Sequence, residues 1–244
     1  MNSLSKNIYY YFLFLFCLIP ITILAGSALS IINIILIDVS FIVLIIQKKK
    51  FDFLKDKSIL YLFLLYAYLI FNSFISVDFY EGLYRNFGFI RIIILFAAIN
   101  FFFSNDDFYK KVLKFWSLVI LIVLVDVFIE SLFGQNILGF DGKQYGKRIV
   151  SFFKDEPIVG GYLNGFYLLI IGFLMIELKK KYFLLILLIL FIFVLAILLT
   201  GERSNTIKAF LGLSLFIFFI KTINLKKKIF LISATIILVF LLIS

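Results

Sequence analysis

No histidine occurs anywhere in the chain. That removes the side chain most often used for acid–base work near neutral pH, and the usual zinc sites go with it. Cysteine is limited to Cys17, inside an apolar run, so no intrachain disulfide can form. Charge is scarce: 16% of residues are charged and 64% hydrophobic, where a soluble domain has about a quarter and a half. No Walker motif, dinucleotide fingerprint or G-x-S-x-G elbow is present. No metal and no cofactor are expected. The first apolar run has no A-x-A-like cleavage site, so it is expected to be kept as a span.

What the chain has in abundance is continuous apolar sequence. Runs of this kind are long enough to cross about 30 Å of hydrocarbon as helices. Barrel strands would alternate apolar and polar residues instead. The expected fold is all-α: a polytopic transmembrane helical bundle forming a single integral membrane domain over 1–244. About nine spans are expected, at 8–26, 28–46, 58–76, 86–103, 113–133, 157–178, 182–200, 204–220 and 229–244. The last run stops at Ser244 without polar flanks, so C-terminal sequence is expected to be missing.

The net charge of +10 does not point to nucleic acid, because the lysines sit in short runs between the apolar blocks. Lys48 to Lys50, Lys110 and Lys111, Lys179 to Lys181 and Lys226 to Lys228 fall on one side when the N-terminus is cytoplasmic. The main outer loop is then about 134–156.

The arginines differ. Arg85, Arg91, Arg148 and Arg203 all fall on outer loops or in the outer half of a span, against the rule that positive charge stays inside. A planar guanidinium grips phosphate or carboxylate through two parallel bonds. Arg203 lies in the turn Thr200-Gly201-Glu202-Arg203-Ser204, where a helix N-terminus faces outward. The same turn also reads as a glycine C-cap, a Ser204 N-cap and a local Glu202–Arg203 pair. Asp155 and Glu156 either complement the dipole of the next helix or act as a base. Gly160 and Gly161 either admit a close helix neighbour or leave room for substrate. Asp126 and Glu130 share a face of one span and need a cation or a proton. Arg91 is the available partner. Asp38, deep in the second span with Asn33 nearby, suits a proton site or a helix–helix bond. Trp116 and the terminal tyrosines read as interfacial anchors, and Pro20 as a kink.

Several of these stretches resemble the bacterial O-antigen polymerase and O-antigen ligase (Wzy-like) superfamily. They are Asp126 to Glu130 with Gly134 to Gly139; Arg148, Ser151 to Phe153, Asp155 and Glu156; Gly160 to Leu163; the turn Thr200 to Ser204; and Pro20 with Thr22 and Gly26. The resemblance implies a bacterial inner-membrane glycosyltransferase working on the periplasmic face among membrane lipids. Its substrate would be an undecaprenyl-pyrophosphate-linked glycan and its acceptor another glycan or lipid A core. Arg148 and Arg203 would hold the pyrophosphate, with Arg91 a third cation and Glu202, Gly160 and Gly161 beside them. Glu156 or Asp155 would serve as base. The family has a large outer loop beyond the point where this chain ends, carrying a histidine in the ligases; neither is present here. A transporter or flippase for lipid-linked sugars is the competing expectation, kept alive by Asp38.

Overall fold

The computed structural model describes residues 5–49, 56–146, 148–154, 156–178 and 180–219, with isolated positions beyond. Among the described residues the regular structure is entirely helical. Nine α-helices follow in order: α1 Lys6–Ala25, α2 Ser27–Lys48, α3 Lys57–Phe74, α4 Phe79–Phe87, α5 Ile90–Phe103, α6 Asp106–Phe133, α7 Val159–Glu177, α8 Phe183–Leu199 and α9 Arg203–Phe219. Six helical stretches are long and apolar enough to cross a membrane, with α4 and α5 counted as one, and α8 is a shorter apolar helix of 17 residues. Eight of the nine expected stretches overlap helices, but only six of them meet membrane length and apolarity among the described residues; the ninth, 229–244, falls almost wholly outside those residues. Large apolar side chains such as Leu64, Leu121, Leu184 and Leu211 point outward on these helices, a surface suited to lipid rather than water.

The chain forms two compact units, Met1–Phe115 and Trp116–Ser244, and α6 runs through the boundary. In the first unit α1 starts at Ser5, whose hydroxyl accepts from the N–H of Ile8. The helix continues past Pro20 to Ala25, and a single residue, Gly26, joins it to α2. The core is aromatic: Phe102 packs on Phe12 at 4.3 Å between ring centroids and stacks on Phe108 at 5.1 Å. Asn33 reaches from α2 to the Leu15 carbonyl of α1 at 3.2 Å. Asp38 is buried, and neither of its carboxylate oxygens has a hydrogen-bond partner among the described residues.

The second unit packs α7 against α8 and α9. Tyr167 of α7 donates to the Ala209 carbonyl of α9 at 2.9 Å. Gly212 permits that crossing, because a β-carbon there would collide with the Tyr167 hydroxyl. Trp116 corrects an expectation: it is not an interfacial anchor but a core residue, 5% exposed and edge-on to Phe166. An edge-to-face ring pair of this kind adds about 0.5–1.5 kcal/mol beyond the area it buries.

Candidate functional site

The site in the second unit is built outward from the end of α6. Asp126 and Glu130 lie four residues apart on that helix, both buried. Their expected cation, Arg91, is not what answers them. Glu130 accepts the backbone N–H groups of Val150 at 3.0 Å and Ser151 at 2.7 Å. Asp126 accepts the N–H of Ile137 at 2.9 Å and the Ser151 hydroxyl at 2.5 Å. Hydrogen bonds from fixed donors stabilise a buried carboxylate as a counter-ion would. The loop after α6 is thus laced to the helix end by three of its backbone N–H groups and the Ser151 hydroxyl.

Asn136 completes the lacing. Its side-chain oxygen accepts from Leu138 and Phe140, and its amide donates to the Ser151 carbonyl at 2.7 Å. Ser151 therefore uses its N–H, carbonyl and hydroxyl together. That explains how a non-glycine residue holds φ 47°, a left-handed conformation costing about 1 kcal/mol or more. On the far side of the loop Gly142 is buried under Arg148, and a β-carbon there would run into the Arg148 carbonyl. At the loop surface the Lys143 ammonium lies 3.0 Å from Asp141 and holds that carboxyl below its ordinary range.

A second scaffold carries Arg203. The turn after α8 uses Gly201 at φ 74°, where glycine is the natural choice. Glu202 then reaches over α7, accepting the Gly160 N–H at 2.6 Å with one oxygen and the Asn205 amide with the other. Its carboxylate is spent on these two donors, so the expected Glu202–Arg203 pair does not form. The helix begins at Arg203, with Glu202 rather than Ser204 as its first carbonyl acceptor, through Thr206 N–H at 3.0 Å. The glycines are explained by the same contact. A β-carbon on Gly160 would sit 2.6 Å from the Thr200 hydroxyl, and one on Gly161 3.1 Å from Asn205. They admit the neighbouring turn, not an open space for substrate.

The two scaffolds are joined by one backbone bond, from Ile149 N–H to the Thr200 carbonyl at 3.4 Å. The result is a cavity of about 700 Å³ lined by Arg148, Arg203, Lys208, Glu202, Asn205 and Pro157, among others. Both arginines are exposed and, among the described residues, neither is in an ion pair. Lys208 is a third cation that sequence reading passed over, because one lysine in an apolar run looks like a stray charge. Among the described residues Glu202 is the one carboxylate in the lining. Glu156 is exposed next to Pro157 but does not line the cavity, and Asp155 lies outside the described residues. Arg91 belongs elsewhere: it lines a cavity of the first unit together with Arg85.

A cavity carrying three cations and one hydrogen-bonded carboxylate is suited to a polyanion, and fork-shaped guanidiniums suit phosphate oxygens. Among the described residues, fold and site together show an all-helical protein with membrane-length apolar helices and, in its second unit, a cation-lined cavity. No family model, no curated protein and no solved structure matches the chain.

Proposed function

We propose that this chain belongs to a glycosyltransferase of surface polysaccharide assembly, of the O-antigen polymerase or ligase kind. It would take its glycan from undecaprenyl pyrophosphate on the periplasmic face of the bacterial inner membrane. The observation that carries this reading is the convergence of Arg148 and Arg203 on one cavity, from segments 55 positions apart in sequence. In the proposed step an acceptor-sugar hydroxyl forms a bond to the donor's anomeric carbon, and the bond from that carbon to the diphosphate oxygen breaks. The diphosphate departs with the electron pair, and its growing charge is what fixed cations stabilise. The hydroxyl proton passes to a carboxylate, for which Glu156, the chain neighbour of the cavity-lining Pro157, is the candidate. Arg91, placed with Arg85, is not assigned to the diphosphate.

The test is complementation by the full-length gene in cells lacking their own polymerase or ligase, with membrane protein level controlled. Arg148→Lys and Arg203→Lys are expected to stop glycan while lipid-linked precursor accumulates on the outer face. Normal glycan from both variants would remove the forked-arginine basis of the reading. The buried Asp38, whose carboxylate oxygens have no hydrogen-bond partner among the described residues, favours a second reading, a flippase or transporter of lipid-linked sugars. In that case the precursor would accumulate on the inner face instead.

A further inference from the structure

The first unit holds a cavity of about 1120 Å³ around α4. Its lining includes Arg85, Arg91, Asp78, Glu81, Tyr80 and Tyr84. Two cations and two carboxylates thus face one space, and among the described residues no ion pair joins them. Asp78 uses one oxygen to cap α4, accepting the Glu81 N–H at 3.1 Å. The helix is pinned in place by Asn86, which donates to the Leu69 carbonyl at 2.9 Å and the Ser73 hydroxyl at 2.8 Å. Thus fixed, α4 leaves Tyr80 81% and Tyr84 88% exposed.

Depth in a bilayer follows from length. Helices α4 and α5 together form one candidate span, Phe79–Phe103, ending at the polar turn around Ser104 and Asn105. At about 1.5 Å per residue, roughly 30 Å of hydrocarbon counted back from that turn ends near Tyr84. Arg85 then stands at the hydrocarbon boundary. Arg91, about 9 Å deeper, is within the reach of a long side chain extending toward the headgroups. The exposed tyrosines fall where aromatic rings usually sit.

Charge balance selects the ligand. A simple anion would meet two carboxylates as well as two guanidiniums, and a simple cation the reverse. A phosphate bearing an ammonium satisfies both: the guanidiniums take the phosphate oxygens, while Glu81, Asp78 and the tyrosine faces take the ammonium. We infer that the α4 cavity of the first unit is a binding site for a phospholipid with a zwitterionic aminoalkyl-phosphate headgroup, of the phosphatidylethanolamine class. This site is independent of the Arg148–Arg203 cavity and of the transferase reading.

The purified full chain in detergent is titrated with phosphatidylethanolamine, phosphatidylglycerol and phosphatidylcholine of identical acyl chains, and bound lipid is counted by native mass spectrometry. Phosphatidylethanolamine is expected to be retained best, because its ammonium donates hydrogen bonds that a choline cannot. Arg85→Gln should weaken its retention about tenfold, the loss of one charge-assisted bond. Glu81→Gln should abolish the preference over phosphatidylglycerol without reducing phosphatidylglycerol binding. Both side chains are exposed, so both variants are expected to fold, which thermal unfolding checks. Phosphatidylglycerol retained as well as phosphatidylethanolamine by the unaltered chain would overturn the inference. So would two folded variants whose lipid preference is unchanged.

Discussion

Ile149 donates its backbone N–H to the carbonyl of Thr200 across 3.4 Å. This bond ties the residue after Arg148 to the turn three residues before Arg203. The main-chain positions of the two arginines are therefore tied together, and substitutions that move that main chain should act on the site without touching either arginine.

Gly142→Ala is the sharpest case. A β-carbon would strike the Arg148 carbonyl, a backbone atom with no freedom to swing away. The expected outcome is a loosened 134–158 loop on an intact helical bundle. Limited proteolysis should cut that loop faster while the circular dichroism stays helical.

Glu130→Gln is expected to destabilise the second unit. The carboxylate has two N–H donors facing it, from Val150 and Ser151. An amide turns one acceptor into a donor and leaves a buried clash of donors, costing about 1–3 kcal/mol. Thermal unfolding in detergent measures it. Ser151→Ala, which removes only the hydroxyl bond to Asp126, should cost less than Glu130→Gln.

The glycines of α7 predict opposite signs along one helix. Gly160→Ala pushes on Thr200 and Glu202, and overpacking of this kind costs about 1–3 kcal/mol. Gly165→Ala and Gly172→Ala meet nothing within 4 Å. They should leave stability unchanged or raise it by about 0.5–1 kcal/mol through helix preference. Equal destabilisation at all three positions would show that the Glu202 contact is not what demands glycine at 160.

Tyr167 and Gly212 form a coupled pair. Gly212→Ala should be strongly destabilising, since the Tyr167 hydroxyl occupies the space a methyl needs. Tyr167→Phe removes that oxygen and one hydrogen bond worth about 1 kcal/mol. Combined, the two substitutions should cost less than their sum, a non-additivity that a double-mutant cycle reads directly.

Much of the helical layout was legible in the sequence, because an apolar run of membrane length admits few other structures. Six membrane-length helical stretches met expected spans for that reason. The partners of buried charge were not legible in the same way. Asp126 and Glu130 announced a need for positive charge, and arginine was the natural candidate, but the donors were three peptide N–H groups, which no motif marks, and the Ser151 hydroxyl. The glycine pair was ambiguous for a related reason: sequence shows that a close approach is allowed, not what approaches. Trp116 went astray because an aromatic near a span end has the same sequence signature whether it faces headgroups or a phenylalanine. Arg148 and Arg203 stood out as two of four arginines in a chain that otherwise uses lysine, and both line one cavity.

The one-residue joint at Gly26 bears on how the protein is made. With φ at 122° and no side chain to shelter, Gly26 turns α1 directly into α2. Such a pair gives the insertion machinery almost no polar chain to carry across. Both helices can enter a bilayer together as a hairpin, with Lys6 and Lys48 both at its open end. Lengthening that joint with a few charged residues would turn a passive partitioning event into one that needs a driving force, and a glycosylation reporter placed there would register the difference during synthesis.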